Sequence, residues 1–338
     1  MKAALFDQIN SMKIINKENP EINDNDVLIK IITTGICGSE IHAYNGAHPF
    51  RKPPSILGHE LVGKIEEVGE NVQGFHPGDY VTVEPHYGCK QCVHCQNGDY
   101  HLCDNKTVLG TEKWEGAFAE YLTAPASTVY KIPGDIPYHV GVLTEPLAVG
   151  VHAVKLGQIK KGDKIAVLGA GPIGLLVAVA AKHAGAEVIC ITDAIDHNLE
   201  TSKQLGATDT LNVKEVSIVD YIDETYGKVD QVYVTVGLQS TMNDALQIVK
   251  KKGKIISIAI FEEDIKVDFN HVFISEIQIL GSSMYVKEDF EQAIDIISER
   301  GDQLEILTKH TFPLQDIELA MDAAATKKDG AIKVLVDL

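Results

Sequence analysis

The spacing of apolar residues changes near residue 150. Before it, short segments alternate apolar and polar positions with a period of two: "DVLIKIITTG" (26–35), "LVGKIEEVG" (61–69), "DYVTVEP" (79–85) and "FAEYLTAP" (118–125). Gly, Pro and Asp punctuate them, as in "HPGDY" and "KIPGDIP". This pattern predicts a β-rich domain of short strands. After residue 150, compact apolar runs alternate with helical stretches. "KIAVLGAG" and "AEVICITD" read as strands, and "GPIGLLVAVAAKHAG" and "HNLETSKQLGA" as helices. "VDQVYVTVG", the helix "TMNDALQIVKKKG", and the strands "KIISIAI" and "IQILGSS" continue the series. Such alternation predicts an α/β fold with a doubly wound parallel sheet. The last segment holds two helices, "DFEQAIDIISERG" and "DIELAMDAAATKKDG", and a closing strand, "AIKVLVDL". The domains expected are 1–146, 147–285 and a returning segment, 286–338.

Composition narrows the function classes. Of 338 residues, 48 are acidic and 30 basic, a net charge of -18. That field disfavours nucleic acid and anionic membranes as partners, leaving room for a local pocket that takes a small molecule. No run reaches the roughly 18 apolar residues of a membrane span. The start, "MKAALFDQINSMKIINKENP", lacks the apolar core and cleavage site of a signal peptide. The expected location is the cytoplasm, where clustered cysteines more often bind metal than form disulfides.

"VLGAGPIG" places Gly169, Gly171 and Gly174 in a G-x-G-x-x-G pattern between a strand and a helix. The first glycine permits a tight turn, the second a close approach to a pyrophosphate, the third close helix–strand packing. Pro172 and Ile173 open the helix, whose free N–H groups favour the phosphate. Asp193 ends the next strand, 24 residues after Gly169. Its carboxylate suits ribose hydroxyls and repels a 2′-phosphate, so NAD is expected over NADP. Val236 and Gly237, closing "VDQVYVTVG", are assigned to the same cofactor site.

Two constellations carry metal chemistry. Cys89, Cys92, Cys95 and Cys103 lie in "GCKQCVHCQNGDYHLC", spaced C-x2-C-x2-C-x7-C. Four thiolates fill a tetrahedron and leave no place for substrate, so a structural metal is expected; a redox relay built on the repeated C-x-x-C is the alternative. Three distant fragments, "GICGSEIH", "GHE" and "TEP", supply Cys37, His59, Glu60 and Glu145, a donor set suited to a catalytic zinc. Cys190, within a strand, reads as core.

These motifs occur in the order found in the zinc-dependent medium-chain alcohol dehydrogenases, and over the whole chain the sequence resembles that family's polyol branch: sorbitol, butanediol, sugar-acid and threonine dehydrogenases. The resemblance implies a GroES-like β domain carrying the catalytic zinc, a structural-zinc lobe at 86–104, and a Rossmann coenzyme domain. It implies two zinc ions, NAD, and ligands Cys37, His59 and a carboxylate. Glu145 stands where the alcohol dehydrogenases proper have a Cys, and Glu60 competes with it, directly or through water. The implied chemistry is polarisation of a secondary alcohol by zinc and hydride transfer to nicotinamide. Ser39 and His42 occupy the positions of a proton relay. Homotetramers or homodimers are common in this family.

Three functions follow for testing: a polyol or sugar-derivative dehydrogenase, an L-threonine 3-dehydrogenase, and a non-catalytic zinc- and nucleotide-binding redox sensor. His86 keeps threonine in view, since threonine dehydrogenases carry a His there. Arg51, near His48 and Lys52, is a candidate anchor for a carboxylated or phosphorylated substrate, and Trp114 a candidate pocket wall or core residue.

Overall fold

A computed structural model describes residues 1–338. The chain forms two compact units, one made of Met1–Glu145 with Val286–Leu338 and the other of Pro146–Tyr285.

The first unit is built on a seven-stranded sheet. Its path runs Val129–Lys131, Tyr80–Val83, Glu60–Val68, Asp26–Gly35, Val334–Asp337, His310–Pro313, and Tyr121–Pro125 also pairs with Asp26–Gly35. Alternate residues face inward: Val27, Ile29 and Ile31 are buried, while Lys30 between them is exposed. A smaller sheet joins Ser11–Asn16, Lys2–Gln8 and Ser55–Ile56. The sequence pattern missed this N-terminal hairpin because Ile9 and Ile14 lie on its exposed side, which blurs the alternation.

Register builds the functional end of this sheet. Gly35 lies opposite Glu60 across one strand pair and opposite Leu335 across another. Residues just beyond these positions, Cys37, His59 and Lys333, therefore leave the sheet at one end. Gly35 is needed there because a Cβ would lie 2.1 Å from Glu60 Oε2.

The second unit is a six-stranded parallel sheet in the order Asp209–Asn212, Val188–Asp193, Lys164–Leu168, Val229–Val234, Val249–Ser257, Gln278–Gly281. Chain direction across the sheet reverses between Lys164–Leu168 and Val229–Val234, the switch point at which doubly wound sheets bind ligands. The helix expected through "IVKKKG" ends at Ile248. Val249 already pairs with Val229, and Lys254 with Gln231, so the intervening residues bulge out of the ladder, with Lys252 at φ 61°.

The helical stretch Tyr138–Gly157 is long and apolar enough on average to cross a membrane. Of its most apolar 18-residue window, 83% is buried, as in a core helix.

Candidate metal and cofactor sites

Cys37 is the N-cap of the helix Gly38–Tyr44. Three residues on, the Glu40 carboxylate accepts the Cys37 N–H at 3.0 Å, closing a capping box. The other Glu40 oxygen lies 2.5 Å from His59 Nδ1. Ligand atoms of Cys37, Glu40 and His59 lie within 4.8 Å of one another, and so do those of His59, Glu60 and Glu145. His59 belongs to both groups, so the fragments that the sequence offered as a catalytic metal site converge on this imidazole. Glu145 sits in the first turn of the helix Thr144–Gly157.

Glu40 was not singled out from sequence, although its place three residues after a helix-capping Cys was the available signal. It is fully buried. Burial alone would drive both partners neutral, but their mutual attraction outweighs it: Glu40 is held well below the ordinary carboxylate range and His59 well above the ordinary imidazole value. Surroundings that stabilise positive charge on this ring also suit a cation bound to it. With Nδ1 engaged by Glu40, Nε2 is the nitrogen left for a metal. Arg51 Nη1 stands 3.8 Å from Glu40.

Lys333 is the second unforeseen residue. Its ammonium is 3% exposed and donates to both Glu60 oxygens, at 2.6 and 2.7 Å, and to the Ile36 carbonyl at 3.3 Å. No local sequence signal marks it: it reads as a polar position before the closing strand. Its pKa is raised, because Glu60, Cys37 and Glu145 around it overcome the cost of burial. Glu60 thus lies in the donor group with His59 and Glu145 while both of its oxygens accept from Lys333.

Ser39 Oγ is buried without a hydrogen-bond partner, and His42 lies in the last turn of the same short helix. Arg51 does not have the outward guanidinium that substrate anchoring requires. It is 4% exposed and donates to the carbonyls of Leu109 and Gly110 at 2.7 and 2.9 Å. Trp114 is core: its indole N–H donates to Thr123 O at 2.8 Å and its ring packs on Tyr87. His48 Nδ1 accepts the Arg51 N–H at 3.1 Å. Burial first, then the charge of Arg51, pushes His48 down to about 4. The folded pKa lies below the ordinary value of about 6.5. The unfolded chain thus takes up a proton first, and stability present above that value is lost as pH falls through 4. Thermal melting should drop between those limits, and a His48→Gln variant should show a smaller drop; equal pH profiles would contradict this.

In the second constellation, Cys89, Cys92, Cys95 and Cys103 bring their sulfurs within 4.8 Å of one another. None is in a disulfide, and Cys89 and Cys95 sulfurs are 4.0 Å apart. Backbone N–H groups of Gln91 and Cys92 stabilise the Cys89 thiolate, bringing it down to about 6. Four converging thiols with backbone donors fit a closed tetrahedral metal site. Cys190 is fully buried in the other unit, and burial pushes it up to about 12.

The nucleotide motif adopts the expected turn. Gly169 has φ 113°, and a Cβ on Gly174 would lie 1.8 Å from the Gly169 carbonyl oxygen. A Cβ on Gly171 would meet nothing within 4 Å, so the loop is open on that side. Gly171 is the N-cap of the helix Pro172–His183, with Pro172 and Ile173 in its first turn and no side chain capping it. Asp193 accepts the Ala170 N–H at 2.8 Å and the Ile195 N–H at 2.9 Å, tying strand end to glycine loop. Each oxygen keeps a lone pair for a ribose hydroxyl. Val236 contacts the position of a Gly169 Cβ, and Gly237 packs against Ile260 O. The open glycine turn, uncapped helix and strand-end acid fit NAD.

Residues 23–134 match the alcohol dehydrogenase GroES-like domain family and residues 172–299 the zinc-binding dehydrogenase family. A sorbitol dehydrogenase of Bacillus subtilis is 34% identical over 99% of this chain and 97% of its own length. An L-threonine 3-dehydrogenase of Alteromonas mediterranea is 35% identical over 94% of each chain. The crystal structure of 2R,3R-butanediol dehydrogenase from Bacillus subtilis superposes with a TM-score of 0.92 at 30% identity, covering 100% of this chain and 99% of that one. The chain belongs to the zinc-dependent medium-chain alcohol dehydrogenases, in their polyol branch. It is an oxidoreductase that uses zinc and NAD, with a GroES-like and a Rossmann domain.

Proposed function

We propose that the protein oxidises the secondary alcohol of a polyol or sugar derivative to a ketone, with NAD as hydride acceptor. The observation that carries this reading is the place of His59 in two donor groups, one with Cys37 and Glu40 and the other with Glu60 and Glu145; within the second unit, Asp193 tied to the glycine loop adds support. Bound zinc supplies Lewis-acid polarisation of the substrate hydroxyl, and NAD supplies the electron sink. Cys37, His59 and Glu145 would hold the metal. Glu40 fixes the His59 ring, and Lys333 keeps Glu60 out of the first coordination sphere. Ser39 is the proton acceptor nearest Cys37 in the chain, its buried hydroxyl lacking any other partner, and His42 carries the proton onward. Glycine-loop N–H groups bind the pyrophosphate, and Asp193 selects the unphosphorylated ribose.

Dehydrogenases of sorbitol, butanediol and threonine among the relatives set the substrates to try. NAD reduction should be screened over diols, hexitols, inositols, aldonates and threonine. Turnover on polyols exceeding that on threonine supports the proposal, and threonine as the sole substrate defeats it. The second reading, an L-threonine 3-dehydrogenase, is favoured only by the threonine relatives and His86.

The assembly proposed is a homo-oligomer, a dimer or tetramer. Phe269, Phe273 and Ile274 are 71%, 80% and 70% exposed on the helix that precedes the edge strand Gln278–Gly281. An apolar cluster beside an unpaired strand edge is a surface that monomers rarely leave open. Six free cysteines support a reducing, cytoplasmic location.

A further inference from the structure

The strongest feature outside the sites above is a carboxylate beneath the four-cysteine lobe. Glu84 follows the strand Tyr80–Val83 and is 3% exposed. Its Oε1 accepts the Tyr100 phenol at 2.5 Å, and its Oε2 accepts the Tyr130 phenol at 2.9 Å. His86 Nε2 stands 3.6 Å from Oε1. Tyr100 belongs to the lobe, lying between Cys95 and Cys103. Tyr130 belongs to the sheet strand Val129–Lys131, and its ring packs on Phe290 of the helix Lys287–Leu304.

Besides buried His86, His101 and Cys103 and the Tyr87–Trp114 ring contact, the lobe offers little apolar packing. Its two helical turns are short, and the larger apolar side chains there, Val93 and Leu102, are 62% and 44% exposed. Burying a carboxylate is unfavourable unless donors replace its water. Here the two donors come from two separate pieces of the first unit. Burial is the dominant influence on Glu84 and lifts its carboxyl to about 7, so its phenol partners offset a real desolvation cost.

We propose that Glu84 is a latch: by accepting Tyr100 from the lobe and Tyr130 from the sheet, it docks the four-cysteine lobe onto the first unit and thereby sets how long the lobe keeps its metal. Removing one donor leaves a buried carboxyl oxygen unsatisfied, which costs more than an ordinary hydrogen bond contributes. Such a loss should speed local opening of the lobe by about tenfold.

The test uses the zinc-loaded full chain, alkylated with iodoacetamide and read cysteine by cysteine by mass spectrometry. Tyr100→Phe removes one oxygen and leaves the ring in place. The latch predicts about tenfold faster labelling of Cys89, Cys92, Cys95 and Cys103, with Cys190 still protected and melting nearly unchanged. Tyr130→Phe should accelerate the same four sites, less strongly, because the lobe's own bond survives. Lobe labelling at the wild-type rate in Tyr100→Phe would overturn the latch. Should Tyr100→Phe also expose Cys190 through general unfolding, Glu84→Gln decides by the same readout. It leaves one carbonyl acceptor where two oxygens accepted two phenols, so faster lobe labelling supports the latch and an unchanged rate overturns it.

Discussion

A Cys37→Ala variant is expected to lose one of two zinc ions and about 1,000-fold in kcat, while still binding NAD. The magnitude follows from the several kcal/mol that Lewis-acid stabilisation contributes to a transition state, at about 1.4 kcal/mol per factor of ten. The three-donor set has no spare thiolate nearby: Cys190 is buried in the other unit and the remaining four cysteines are gathered in the lobe. Metal content by elemental analysis and NAD affinity by fluorescence titration separate this outcome from general damage. A variant that keeps both zinc ions, or turns over within tenfold of the wild type, would contradict the assignment of Cys37.

The second large effect concerns Lys333. Replacing it by Ala leaves Glu60 buried with no cation, and breaking one side of a buried ion pair costs about 3–5 kcal/mol. Glu60 is fully buried, and Lys333 supplies the ammonium bonded to both its oxygens. Melting should fall by roughly 6–20 °C at the scale of a domain of this size. Lys333→Arg should recover part of the loss, because the charge remains, while the fork geometry differs from that of the ammonium. The double variant Lys333→Met/Glu60→Gln should be more stable than Lys333→Ala, since it removes the uncompensated charge rather than a packing contact. If Lys333→Ala melts within a degree or two of wild type, the buried pair is not holding this end of the sheet together.

How much of this was legible in the sequence depends on the range over which each signal acts. The strand Asp26–Gly35 and the helix Pro172–His183 were readable because their periodicity is local and unbroken. Likewise, the glycine turn carries its own geometry, since Gly169 and Gly174 each sit where a side chain would strain or collide. By contrast, Lys333 meets Glu60 across 273 residues of chain, through the register of two strand pairs, and nothing near either residue announces the other. Glu40 fell between these cases. A capping-box signal was present, but which imidazole its second oxygen would meet depended on the same sheet register. Arg51 shows the opposite failure: a cation in a loop beside a ligand motif looks available for substrate, yet two backbone carbonyls and Glu40 already occupy it.

The Lys333–Glu60 pair also sets the two carboxylates of the proposed catalytic site apart. Two carboxylates reach His59, but one is neutralised by a buried ammonium and the other opens a helix. Glu60 is bonded through both oxygens to the Lys333 ammonium, whereas Glu145 lies near the same ammonium without a bond of that kind recorded between them. A zinc held by the proposed trio Cys37, His59 and Glu145 would have three protein ligands, the number a catalytic zinc uses.

We assign zinc to Cys37 and His59, with Glu145 as its carboxylate. Anomalous diffraction at the zinc edge from crystals of the zinc-loaded protein tests this assignment most directly. The account predicts two peaks per chain, one bonded to Cys37 Sγ, His59 Nε2 and Glu145, the other to the four lobe thiolates. A zinc-loaded crystal with no peak between Cys37 and His59, or with Glu60 bonded in place of Glu145 while Lys333 points away, would contradict it.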